Sequence, residues 1–124
     1  MRAAVSLTLF FSVFLCTGCA LSRISGSEEN CDRHNDLQCA NAVFEKTDKQ
    51  LAETYQHAAD TQEEEGVKRL AISQRHWLKY RDTYAEFIAM HAADAQSFQL
   101  MLLNQRIDLM QARVAELQRL LAKK

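Results

Sequence analysis

The chain contains no proline, and beyond Gly26 its one glycine is Gly66. Sheet proteins reverse direction about every 8–12 residues, and their tight turns draw on glycine for positive φ and on proline for a preset φ. A chain without those residues has little means of making such turns. Long helices tolerate the same composition well, because glycine and proline are the residues they most need to avoid. The expected fold class is therefore all-α: a small antiparallel three-helix bundle with long helices.

Apolar periodicity places the helices. Ala40, Val43, Phe44, Thr47, Leu51, Tyr55 and Ala58 recur at three- and four-residue steps, which predicts a first helix over residues 36–61 with one buried stripe. Three consecutive glutamates, Glu63, Glu64 and Glu65, and then Gly66 interrupt that stripe and predict a turn over residues 62–66. A second helix starts at Val67 and directs Val67, Leu70, Ala71, Gln74, Trp77, Leu78, Arg81, Tyr84, Ala85 and Ile88 inward. The pattern slips over residues 92–96, and a third helix is expected from Phe98, with Leu102, Gln105, Leu109, Ala112, Arg113 and Leu120 on its inner side. With neither glycine nor proline at that slip, a continuous rod pairing with a second copy is the alternative. The folded-back bundle is preferred because it buries the stripe within one chain.

Residues 1–18 read as an export signal. Arg2 supplies a positive start, residues 3–15 are an apolar run too short for a comfortable membrane span, and Thr17 and Gly18 are small residues before Cys19. That pattern resembles a bacterial lipoprotein box, in which Cys19 is acylated after cleavage, although Cys16 stands where such boxes usually have Leu. Residues 19–30, rich in Ser, Gly and Glu, then form a flexible tether, and residues 31–124 form the folded domain. Ala20 after the cysteine, in place of Asp, resembles an outer-membrane address. Cleavage nearby by the ordinary signal peptidase, giving a soluble periplasmic protein, is the competing expectation.

Cys31 and Cys39 are the only cysteines of the folded domain, an even pair in an exported chain, and are expected to bond to each other. His34 lies three residues after Cys31, but no second half of a zinc motif accompanies it, so no metal is expected. The formal net charge of -1 gives no basic footprint for nucleic acid. His57, His76 and His91 lie at no ligand spacing and Ser73 has no local signature of activation, so neither a cofactor nor an enzyme is expected.

The polar residues on the inner faces form a set: Cys39-Ala40, Asp48-x-x-Leu51-x-x-x-Tyr55, Gln74-x-x-Trp77-x-x-Tyr80-Arg81-Asp82 and Arg113-x-x-Glu116-Leu117. This set resembles the lysozyme inhibitor LprI-like N-terminal domain family and covers nearly the whole mature domain, with residues 74–82 the most specific stretch. The chain departs from the family in having Ala52 where Asn is common. It also lacks the second cysteine pair that often joins the second and third helices, which leaves those helices joined by packing alone. The resemblance implies an exported helical domain that binds and inhibits lysozyme.

Lysozyme is cationic, so an acidic rim at Glu63, Glu64 and Glu65 would steer it, while a solvated helix-starting loop is the plainer use of the same residues. Folding the helices about Glu64 brings Asp48 level with residues 78–81 and Leu51 level with Trp77. Folding about Ala93 brings Gln74 level with Arg113. Asp48, Gln74, Arg81 and Arg113 are thus expected to form a structural polar network that fixes register, with Tyr55 and Trp77 as core aromatics and Asp48–Arg81 as a buried pair. The second class of function is a structural or partner-binding envelope module that uses the edge formed by Tyr80, Tyr84 and Phe87 as its contact.

Overall fold

The computed structural model describes residues 31–123, so the expected signal, Cys19 and the tether lie outside the described residues. Three helices follow one another: α1 (Leu37–Asp60), α2 (Glu64–Ala89) and α3 (Ala95–Leu121). Each start has a local cause. The Asp36 carboxylate accepts from the backbone N–H groups of Gln38 and Cys39 at 2.8 and 3.1 Å, and that of Asp94 accepts from Ser97 N at 2.8 Å. Both satisfy donors that a helix N-terminus leaves orphaned. Helix α2 begins without a side-chain cap at Glu63, but carries Glu64 and Glu65 in its first turn, where negative charge complements the helix dipole. It therefore starts three residues earlier than Val67, and Gly66 lies inside it. A Cβ at position 66 would meet Gln62 Cβ at 3.0 Å, which accounts for the glycine.

The rod is excluded. Helix α2 stops at Ala89, and α3 starts afresh behind the Asp94 cap. Helix α2 runs antiparallel to the other two. The cross-helix contacts of Arg33 with Asp108 and of Gln74 with Arg113 give α1 and α3 the same direction. Helix α3 packs most extensively along α1 and less along α2, whereas α1 and α2 scarcely touch despite the short turn between them. The core reflects this arrangement: Leu51, Ala58, Ile107, Met110, Val114 and Leu117 are buried together, with Val43, Phe44, Tyr55, Leu70, Trp77 and Leu121 packed against them.

Two inner faces differ from expectation. On α3 the buried residues are Leu103, Ile107, Met110, Arg113, Val114 and Leu117, while Ala112 and Leu120 are exposed. On α2 only Ala85 and Ala89 are fully buried, and Val67, Leu78 and Tyr84 are exposed, because no α1 surface covers them. Among the described residues no helix is long and apolar enough to cross a membrane.

Candidate functional site

Cys31 and Cys39 are disulfide-bonded, with Cα atoms 5.7 Å apart, and the bond draws the segment ahead of α1 back onto its first turn. Both sulfurs are consumed, so no thiolate stands beside His34, and no group of metal-binding side chains gathers among the described residues. The tied-down segment also reaches α3. Arg33 Nη2 donates to Asp108 Oδ1 at 2.6 Å, and Asn104 Nδ2 donates to the Arg33 carbonyl at 2.8 Å. Sequence reading missed Arg33, Asn104 and Asp108, since Arg33 precedes the first helix, where no periodicity exists to place it.

A polar layer lies between α2 and α3. Arg113, on α3, is only 7% exposed, and its guanidinium donates to Gln74 Oε1 at 3.2 Å, Ser73 Oγ at 3.2 Å and Glu116 Oε2 at 2.8 Å. Fixed on three acceptors from two helices, it sets the register of α2 on α3. Two arginines lie over the Trp77 ring, with the Cζ atoms of Arg81 and Arg113 each 5.8 Å from its centroid, inside cation–π range. Ser73 and Glu116 join the layer in addition to the four residues expected to form the network. The three-residue spacing of Arg113 and Glu116 on one helix was the available signal.

Arg81 and Asp48 approach to 3.9 Å, but the Asp48 side chain is 59% exposed while that of Arg81 is 12% exposed. The buried-pair expectation for Asp48 is thereby corrected: its carboxylate keeps its water. Arg81 Nε instead donates to Asp82 Oδ1 at 2.9 Å, and that same oxygen lies 3.2 Å from Arg106 Nε of α3. Asp82 thus links the two helices, and these ion pairs and hydrogen bonds join α2 to α3 in addition to packing. Tyr55 and Trp77 are both half-buried against the core.

The α1–α2 turn carries the glutamates. Glu64 Oε1 lies 2.6 Å from Lys68 Nζ, and Glu65 Oε1 lies 2.9 Å from Arg69 Nε, each one helical turn away, whereas Glu63 has no ion pair among the described residues. Beside this turn is an open groove of about 430 Å³, lined by Ala58, Gly66, Leu70 and Leu120 together with Arg69 and Lys123. At the other end of α2, Tyr80, Tyr84, Phe87 and His91 form a continuous outer ridge, with successive ring centroids 5.5, 6.5 and 5.6 Å apart.

The model of one protein family, described as lysozyme inhibitor LprI, matches residues 28–117, a span that takes in α1, α2 and most of α3. No curated protein and no solved structure matches the chain.

Proposed function

Since the chain belongs to the lysozyme inhibitor LprI family, we propose that it is a cell-envelope lipoprotein that binds a lysozyme by direct protein contact and acts as an inhibitor, not as an enzyme. The observation that carries this reading is the family match across nearly the whole helical domain. The contact we assign is the α1–α2 turn. Glu63 supplies a carboxylate with no ion-pair partner among the described residues, Glu64 and Glu65 add to the rim, and the adjoining groove offers an apolar recess beside the charge. The pairing of Glu64 and Glu65 with Lys68 and Arg69 weakens the local field, so steering is modest and short-ranged, within a Debye length of about 8 Å at physiological salt.

Titrating the purified protein against lysozyme, with lysis of cell walls as the readout, tests the function. Inhibition at micromolar concentration is expected, and its absence together with an absence of binding would overturn the reading. Replacing Glu63, Glu64 and Glu65 together by Gln tests the contact: affinity falls at low salt and changes little at high salt. An unchanged affinity at low salt moves the contact elsewhere.

The attachment follows from Cys19, acylated at its sulfur, with residues 20–30 as the tether and Ala20 directing the protein to the outer membrane. A Cys19→Ala protein leaves the membrane fraction; if it sediments with membranes as the unmodified chain does, the anchor is wrong. The outer ridge on α2 favours a second reading, an envelope module that associates through that edge. The two readings use opposite ends of α2.

A further inference from the structure

The ridge on α2 is unusual for a surface in both its chemistry and its extent. Tyr80, Tyr84, Phe87 and Met90 are 51%, 38%, 57% and 75% exposed and lie on one side of the helix within three turns. At about 200 Å² for each side chain, half exposure leaves on the order of 400 Å² of mainly apolar surface in a single patch. Patches of that size on a soluble domain mark contact sites. The rings are stacked and tilted against one another along the helix, with Tyr80 and Tyr84 at an interplanar angle of 20°. Their faces are partly turned to each other and their outer edges form a ridge, a shape suited to packing against another helix.

The charges beside the ridge identify the partner. Tyr80 and Phe87 are seven residues apart and occupy equivalent positions in successive heptads. Lys79 and Glu86, each one residue before them, are likewise seven apart and lie along the same flank. Both are exposed, and among the described residues neither has an ion-pair partner. In an antiparallel pair related by a two-fold axis, a flank meets the same flank of its partner with the direction reversed. Setting Tyr80 against Phe87 of a second copy therefore brings Lys79 beside Glu86 of that copy, and the symmetry repeats the pair. In a parallel pair each flank faces the opposite flank of its partner, so Lys79 of one copy and Glu86 of the other lie on separate borders and form no such pair. The sequence of the ridge and its flank is thus complementary to itself in one orientation.

We propose that the protein forms an antiparallel homodimer through the α2 ridge, with Tyr80 packed on Phe87 of the second copy, Tyr84 near the two-fold axis, and two symmetric Lys79–Glu86 ion pairs along one border. The ridges of both copies bury on the order of 800 Å², and the flanks bring the total toward the roughly 1,200 Å² at the low end of specific interfaces. The dimer accordingly dissociates in the micromolar range. Tyr84 lies about 30 Å along α2 from Glu64, so dimerisation leaves the α1–α2 turn of each copy free.

Sedimentation equilibrium of the purified protein from about 1 to 200 µM tests the assembly. A reversible monomer–dimer equilibrium is expected. Phe87→Glu weakens it at least 100-fold, with helicity by circular dichroism unchanged because the residue is exposed. The charge swap tests the orientation: Lys79→Glu and Glu86→Lys each weaken the dimer several-fold, and the double variant restores it to within about threefold of the unmodified protein. A protein that stays monomeric throughout the range overturns the proposal. A dimer unaffected by Phe87→Glu, or a double variant weaker than both single ones, overturns it as well, the first rejecting the ridge and the second the antiparallel register.

Discussion

The seam between α1 and α3 and the seam between α2 and α3 share a helix but are built from different chemistry. Along the first, Leu51 and Ala58 meet Ile107, Val114 and Leu117 with almost no exposure, and the disulfide and the Arg33–Asp108 pair fasten one end. Along the second, the contacts are a buried guanidinium with its acceptors, an indole with two arginines over its ring and a shared aspartate. Apolar burial is non-directional and tolerates sliding, whereas hydrogen-bonded charge is directional and costly when mismatched. One seam therefore supplies most of the stability, and the other supplies most of the positional precision. This division suits a helix that must present its outer surface at a fixed angle while burying little of itself.

Substitutions ordered by expected effect separate the two seams. Ile107→Ala, in the apolar seam, costs about 3–4 kcal/mol, because a fully buried branched side chain leaves a cavity its neighbours only partly fill. Replacing Cys31 and Cys39 together by Ser costs about 2.5 kcal/mol, the value for a short closed loop, and lowers the denaturation midpoint without moving α2. Arg113→Ala costs about 2 kcal/mol through the loss of charge-assisted hydrogen bonds, whereas Arg113→Met stays within about 1 kcal/mol of the unmodified protein, since an apolar stem replaces the buried charge. Urea denaturation measures all of these; a larger loss for Arg113→Ala than for Ile107→Ala would invert the comparison.

Arg81→Ala is expected to cost only about 1 kcal/mol, because the Asp48 carboxylate it leaves behind is solvated and loses no burial compensation. The smallest effect is acid sensitivity at the start of α3 and in the turn ahead of α1. Ser97 N–H and hydroxyl bonds hold the Asp94 carboxyl below its ordinary value of 3.8, and bonds from His34 and Asn35 do the same for Asp32. Both groups stabilise the fold fully above that value, and the contribution is lost as pH falls below it through the depressed folded value. A helix signal that begins to fall only below pH about 4, and less steeply in Asp94→Asn, checks this.

The unequal seams also explain what the sequence revealed. Helix α1 buries one stripe against one partner, so the spacing of Val43, Phe44, Thr47, Leu51, Tyr55 and Ala58 identified its inner face. Helix α3 has partners on two sides and is apolar over a wide arc. Leu102 and Leu109 stand beside Leu103 and Met110, and periodicity alone chose the wrong member of each pair. The three–four alternation of Leu103, Ile107, Met110, Val114, Leu117 and Leu121 was the signal that resolves it. Helix α2 misled in the opposite way. Its apolar residues outnumber its buried positions, and the surplus, Val67, Leu78 and Tyr84, remains outside because α1 leaves it uncovered.

At the candidate site, the juxtaposition of Gln74 with Arg113 was legible because it depends only on where the chain folds back. The exposure of Asp48 was not, since solvation depends on how far α1 and α2 diverge, which a linear pattern does not encode. The same limit hid the salt-bridged state of Glu64 and Glu65, which follows from α2 starting before Val67.

Trp77 is the sole tryptophan, and both guanidiniums beside it belong to the polar seam. Its emission is therefore a local optical reporter on α2, while far-ultraviolet circular dichroism sums all three helices. If α2 peels from α3 before the apolar seam melts, the indole spectrum shifts at a lower denaturant concentration than the ellipticity falls, and the gap between the two curves measures how independently the precise seam opens from the stable one.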